Sequence, residues 1–188
     1  MSAPLLDDQI LAIEAAFARA GIPHAFGGAL ALAYYATPRA TLGIDCNVFL
    51  AAKESERVIA ALTPLGVAPP SAGERRALRD RGQMRVFWDH TPIDLFFAYD
   101  PLHDRCLARA KRVPFGDAAT LPVLSAEDLA IFKTLFDRAK DWRDIAEMLF
   151  ALGADFDAAY ALDWIRRILP AGDERRRRFQ GLLASAPG

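Results

Sequence analysis

The chain has 188 residues, 53% apolar and 25% charged, which fits one folded domain, alone or with a helical appendage, and excludes a disordered chain. A formal net charge of −1 excludes a global field that would draw it onto nucleic acid or a membrane surface. Two distant cysteines, Cys46 and Cys106, make neither a disulfide framework nor a zinc site by themselves, and no run approaches the ~20 apolar residues of a membrane span.

In chain order, residues 5–20 place Leu5, Ile10, Leu11, Ile13, Ala16 and Phe17 at helical spacing, and Gly21 with Pro23 ends the helix. Asp7, Asp8 and Glu14 break up the apolar residues that a signal peptide needs, so a reducing, cytoplasmic setting with no membrane partner is expected. Residues 24–27 read as a short buried strand ending in Gly27-Gly28, and residues 29–36 as a short helix broken by Pro38. Residues 43–51 are a strand, with Ile44, Cys46, Val48 and Leu50 on one face and Gly43, Asp45, Asn47 and Phe49 on the other. A helix is predicted over 53–65, and a charged segment over 73–81 that is either helical or mobile. Strands follow at 84–88 and 92–98, joined through Asp89-His90-Thr91, with one or two short edge strands between 112 and 123 around Gly116.

From Ser125 the pattern is helical. Ser125-Ala126-Glu127-Asp128 is an N-cap signature, followed by helices over 126–151 (broken near 139), 157–169 and 173–184. The predicted organisation is a mixed α/β core over 1–124 and a helical segment over 125–188 packed on it. The basic clusters Arg75-Arg76, Arg166-Arg167 and Arg175 to Arg178 read as solvated helix faces more readily than as RNA contacts. His24, His90 and His103 have no metal-ligand spacing and read as structural. Trp88, Trp142 and Trp164 read as core anchors.

A glycine pair between strand and helix lets backbone amides approach a phosphate, and a helix N-terminus favours anions, although a plain tight turn explains the same pair. Asp45 and Asp94 each sit in an otherwise apolar strand, a costly position for an acid unless something compensates. Mg²⁺ is one compensator, being a hard ion that prefers carboxylate, water and phosphate oxygens. A nearby arginine is the other. Lys133 is a candidate point charge for a triphosphate, or else a member of an ion-pair ladder in which Lys133–Asp137 and Arg138–Asp141 are within reach. Arg39, with Thr41 just before the strand, would orient Asp45, contact a phosphate or pair with an acid.

Gly27-Gly28, the following helix, Pro38-Arg39-Ala40-Thr41-x-x-Ile44-Asp45 and Ile93-Asp94-Leu95 resemble the minimal nucleotidyltransferase fold related to DNA polymerase β. Lys133-x4-Arg138-x-Lys140-Asp141-x2-Asp144 is similar to a motif of the AbiEii-type nucleotidyltransferases, which include toxins of toxin–antitoxin systems. The resemblance implies an α/β (α+β) fold, a mixed sheet flanked by helices with a helical C-terminal segment. It implies transfer of a nucleotide from ATP or another nucleoside triphosphate to an acceptor hydroxyl on RNA, protein or a small molecule, and an antitoxin protein as partner. It implies Mg²⁺ held by Asp45 and Asp94 as catalytic carboxylates, Asp94 nearest the attacking hydroxyl. Gly27, Gly28, Arg39, Thr41, Lys133 and Arg138 would contact the nucleotide, with Lys133 on a helix facing the active edge of the sheet. The chain departs from the pattern in one place. The family's strand carries two acids, and here Gly43 stands at the first and Asp45 at the second. The alternative alignment, with Asp45 first and Asn47 second, stretches the spacing from Gly28. Either alignment leaves one of three carboxylates missing, so a non-catalytic nucleotide-binding or protein-interaction module is the competing expectation.

Overall fold

Alternation of apolar and polar residues in the first half of the chain builds a six-stranded mixed sheet. The computed structural model describes residues 4–186, which divide into two units: residues up to Leu30 with Ala40–Leu124, and Ala31–Arg39 with the chain from Ser125 onward. The first unit begins with α1 (Leu6–Arg19), β1 (His24–Phe26) and α2 (Gly28–Leu32), the last turn of α2 being grouped with the second unit. It continues with β2 (Ile44–Ala51), α3 (Ser55–Leu62), α4 (Ala72–Arg81), β3 (Gln83–Trp88) and β4 (Thr91–Ala98). It ends with α5 (Leu102–Arg109), β5 (Lys111–Phe115) and β6 (Ala119–Val123). The strand order is β3-β4-β2-β1-β6-β5. β2 runs parallel to β4 and β1 parallel to β6, while the other neighbours are antiparallel.

The β2–β4 register opposes Ile44 to Ile93, Cys46 to Leu95 and Val48 to Phe97, so six buried apolar side chains share one face of the central pair. Period-two alternation then forces Asp45 and Asp94 together on the other face. α1 buries Ile10, Ile13, Ala16 and Phe17. Beside it His24 is buried, with Nε2 2.7 Å from the Glu14 carboxylate and Nδ1 2.9 Å from the Ile22 carbonyl. Burial raises the Glu14 pKa, but the bonds and charges of His24 and then Arg112 outweigh it and leave the carboxyl below its ordinary value. Both cysteines are buried, and burial pushes the Cys46 thiol well above its ordinary value.

Several expectations change in the structure. The segment over 73–81 is the helix α4, capped by Ser71, whose hydroxyl accepts from the Glu74 N–H. α2 is only five residues long. β6 is an interior strand, because it pairs with both β1 and β5; of the last two strands in the chain, β5 alone is an edge. α5 has no counterpart among the predicted elements; Pro101 and the short run of apolar residues in Leu102–Arg109 concealed it. The β3–β4 loop is Asp89-His90 rather than three residues, with Asp89 at φ 51°.

The second unit contains α6 (Ala126–Phe136), α7 (Ala139–Leu152), α8 (Ala158–Ile168) and α9 (Glu174–Ser185). α6 contacts the other three helices and is buried on nearly every side. A helix surrounded in this way must pair its charges internally. Asp128 accepts from the Ser125 and Tyr160 hydroxyls at 2.8 and 2.7 Å, and Glu127 accepts from the Asp157 N–H at 3.1 Å. Ser125 caps α6 as its sequence predicts, accepting from the Asp128 N–H. Trp142 and Trp164 are buried in this unit. Among the described residues no helix is long and apolar enough to cross a membrane.

Candidate active site

The β1–α2 turn and the polar face of β2 and β4 converge on one small region of the first unit. The Gly27 N–H donates to the Asp45 carbonyl at 2.9 Å, extending the β1–β2 ladder by one residue. A Cβ on Gly27 would lie 2.8 Å from the Asn47 amide nitrogen. Gly28 has φ +55°, and a Cβ there would fall 1.8 Å from Asp45 Oδ2. Both glycines are therefore required by the close approach of side chains from β2, and Gly28 by its backbone conformation as well. Asp45 packs directly on the diglycine turn. Because α2 is so short, any anion there would be held by N–H groups of the turn rather than by an extended helix dipole.

Asp94 lies opposite Asp45 in the β2–β4 register. Adjacent strands are about 4.8 Å apart, so two carboxylates face the same small volume. On the far side of β4, Arg85 is the register partner of Asp94 and binds it with both arms of its guanidinium, Nε to Oδ1 at 2.8 Å and Nη2 to Oδ2 at 2.7 Å. Hydrogen bonding to Asp94 and then its charge raise the Arg85 pKa; burial opposes this, and the charges of Asp45 and Glu74 add to the rise. Arg85 was not among the residues predicted for the site. A three-residue loop would have placed Val86 opposite Asp94. The signal was present: Met84 and Val86 must face inward with Ile93 and Leu95, which a three-residue loop cannot satisfy and the observed two-residue loop does, setting Arg85 beside Asp94.

Gly43 lies just before β2. A Cβ there would lie 3.0 Å from both Cγ and the carbonyl oxygen of Pro92, so the start of β4 crowds the position at which the resemblance expects an acid. Thr41 fastens the same turn, its hydroxyl donating to the Gly43 carbonyl at 3.0 Å and accepting from the Gly43 N–H at 3.3 Å. Among the described residues no group of three or more histidines, cysteines or acids is arranged to hold a metal ion.

The remaining predicted residues lie in the second unit and form an alternating chain of charge. Lys133 is 3% exposed; its Nζ is 2.5 Å from Asp144 Oδ2 and 3.7 Å from Asp141 Oδ1. Arg39 binds the outer side of Asp144, Nε to Oδ1 at 3.2 Å and Nη2 to Oδ2 at 3.1 Å. Arg138 binds Asp141 through Nε at 2.6 Å and Nη2 at 3.1 Å, and the same carboxylate caps α7 by accepting the Arg138 N–H at 3.2 Å. Burial raises the Asp144 pKa, but Arg39 and Lys133 together leave it below the ordinary value. The Arg138–Asp141 pair forms as the spacing predicts. The Lys133–Asp137 pair does not, because Asp137 ends α6 in the left-handed conformation and accepts from the Trp142 indole at 2.7 Å. An open cavity of 720 Å³ in this unit is lined by Asp137, Glu174, Arg175, Arg177 and Arg178, none of them a predicted site residue.

Comparison with solved structures bears on the fold. The chain is similar to ANT(2'')-Ia in complex with adenylyl-2''-tobramycin, with TM-score 0.56, 16% identity, and 93% of this chain and 97% of that one covered. It is similar to the lincomycin-bound lincosamide antibiotic adenylyltransferase LnuA, with TM-score 0.54, 13% identity, and 77% and 96% covered. It is also similar to an antigenic nucleotidyltransferase-like protein from Paracoccidioides brasiliensis, with TM-score 0.52, 14% identity, and 97% and 93% covered. The fold is that of the nucleotidyltransferases. No protein-family model matches the chain, and no curated protein does.

Proposed function

We propose that the chain binds a nucleoside triphosphate with a divalent cation at the Asp45–Asp94 face and transfers the nucleotide to an acceptor hydroxyl with release of pyrophosphate. The observation that carries this reading is the pairing of Asp45 with Asp94 on parallel strands, Asp45 lying against Gly28. Two side-by-side carboxylates offer the hard oxygen donors that suit Mg²⁺, which usually binds through one or two carboxylates plus water and phosphate. When bound, the ion would offset the charge of the triphosphate. Gly27 and Gly28 would present turn amides to the phosphates. Arg39, Lys133 and Arg138, the other nucleotide contacts that the resemblance implies, belong to the second unit, where Asp144 and Asp141 bind them. Thr41 would hold the turn before β2 in place.

Two of the similar structures carry lincomycin or an adenylylated tobramycin in their names, which makes small polyhydroxylated molecules the first acceptors to try, ahead of RNA ends and protein side chains. An antitoxin partner rests only on the α6–α7 motif, of which Lys133, Arg138, Asp141 and Asp144 also serve in capping or ion pairing. The test is incubation with labelled nucleoside triphosphates, Mg²⁺ and candidate acceptors. Transfer is expected, reduced at least about 100-fold by Asp45→Ala, the scale of loss that misplacing reacting groups produces. Transfer that persists in both Asp45→Ala and Asp94→Ala overturns the assignment.

A second reading, nucleotide binding without transfer, is favoured by one specific observation, the glycine at 43 crowded by Pro92. It predicts calorimetric binding of a nucleoside triphosphate with no pyrophosphate released for any acceptor.

A further inference from the structure

The first turns of α9 carry three arginines, Arg175, Arg177 and Arg178, which line the open 720 Å³ cavity of the second unit together with Asp137 and Glu174. Arg175 is committed to the protein. Its Nε and Nη2 donate to the two oxygens of Asp173 at 3.0 and 2.7 Å, and its Nη1 donates to the Leu135 carbonyl at 3.2 Å. Arg177 and Arg178 are exposed, and neither guanidinium meets a hydrogen-bond acceptor among the described residues. The helix offers each an acid four residues earlier, Asp173 to Arg177 and Glu174 to Arg178, in the order that favours pairing. Asp173 is taken by Arg175, and Glu174 is not joined to Arg178. The Arg178 guanidinium lies instead over the Trp142 ring, 4.6 Å from its centroid, and that indole is itself fixed by donating to Asp137 at 2.7 Å. A guanidinium laid over an aromatic face keeps its N–H donors for a ligand.

We propose that this cavity is a second ligand site, which takes a small phosphorylated molecule: Arg177 and Arg178 donate to its phosphate oxygens, and Glu174 accepts from its hydroxyls. The volume lies within the range of about 300–1,000 Å³ usual for small-molecule sites. Guanidinium donors match phosphate oxygens in a fork that a carboxylate-free arginine is ready to offer. Charge agrees. Asp173 offsets Arg175, and Asp137 is hydrogen-bonded to the indole, so two guanidinium groups stand against the single carboxylate of Glu174. The start of a twelve-residue helix adds a favourable field for an anion. The two acids in the lining argue for a compact ligand over an RNA strand, whose successive phosphates they would repel. The site shares no residue with the Asp45–Asp94 face and stands whether or not that face transfers a nucleotide.

The test is calorimetric titration of the full chain with ribose 5-phosphate in the absence of divalent cations, beside ribose, inorganic phosphate and a short single-stranded RNA. One ribose 5-phosphate is expected to bind per chain, inorganic phosphate more weakly and ribose not at all. Arg178→Gln should weaken binding about tenfold or more, the scale of a lost hydrogen bond to a charged group. Arg178→Lys, which keeps the charge without the fork, should recover only part of it. Arg178 also packs on Trp142, so Arg177→Gln, which removes an exposed side chain, provides the same test without touching that contact, and thermal unfolding checks that each variant is folded. Glu174→Gln should tighten inorganic phosphate and narrow its gap to ribose 5-phosphate. Absence of binding by both phosphate compounds overturns the site, as does an affinity that neither Arg177→Gln nor Arg178→Gln changes. Binding of the RNA through these arginines, with none of ribose 5-phosphate, overturns it in favour of a backbone contact.

Discussion

The sheet unit and the helical unit each carry a charged cluster, and the two are built on opposite rules. In the helical unit, Arg39, Asp144, Lys133, Asp141 and Arg138 alternate in sign, and the central lysine is almost fully buried. Every acid there touches two cations. In the sheet unit, Asp45 and Asp94 are placed side by side with like charge, and Arg85 binds Asp94 from the edge strand. Alternating, buried charge is what architecture uses, since each ion must meet its counter-ion away from water. Like charges held together are unfavourable for folding and point to something that arrives from outside. Both clusters were singled out from the sequence for the same chemistry, and the structure separates them by partnership.

The comparison can be broken most decisively at Asp144. Asp144→Ala leaves Lys133 buried with a weakened set of partners and should cost about 3–5 kcal/mol, read from urea unfolding. A loss below 1 kcal/mol would mean that the helical cluster is not architectural. Gly28→Ala comes next, at about 3 kcal/mol, because it combines a left-handed backbone with a Cβ on top of the Asp45 carboxylate. If its unfolding midpoint matches wild type, the turn is not packed as described. Acid titration gives a partial version of the first effect. The pKa of Asp144 is lowered in the folded state, so its contribution is complete above its unfolded value of about 3.9 and is lost as pH falls through the folded value. Glu14 has the same sign. Stability should therefore fall below about pH 4, and Asp144→Asn should flatten that slope. The smallest effect sharpens the contrast: Asp45→Asn removes like-charge repulsion and should change stability by less than about 0.5 kcal/mol, in the stabilising direction, while abolishing cation binding. A large destabilisation would assign Asp45 to the scaffold instead.

The legible parts were those where local chemistry decides. The Ser125 cap, the helix break near 139 and the shared parity of Asp45 with Asn47 follow from spacing alone, and each is seen. The meeting of Asp45 with the diglycine turn was also legible, as the order of a strand, a turn and an acid-bearing strand. What was not legible depended on a count of one. A single residue in the β3–β4 loop decided whether Val86 or Arg85 faces Asp94. The partners of Lys133 were obscured for a similar reason: the left-handed Asp137 separates α6 from α7, so spacing along one continuous helix misassigned its neighbours. The crowding of Gly43 by Pro92 joins strands distant in sequence, and no local pattern encodes it.

The position of Arg85 on an outermost strand has an evolutionary consequence. Met84 and Val86 anchor β3 to the interior, so residue 85 can be exchanged without disturbing the packing beneath it. One codon at the rim of the sheet thereby decides whether the Asp94 carboxylate keeps its guanidinium counter-charge.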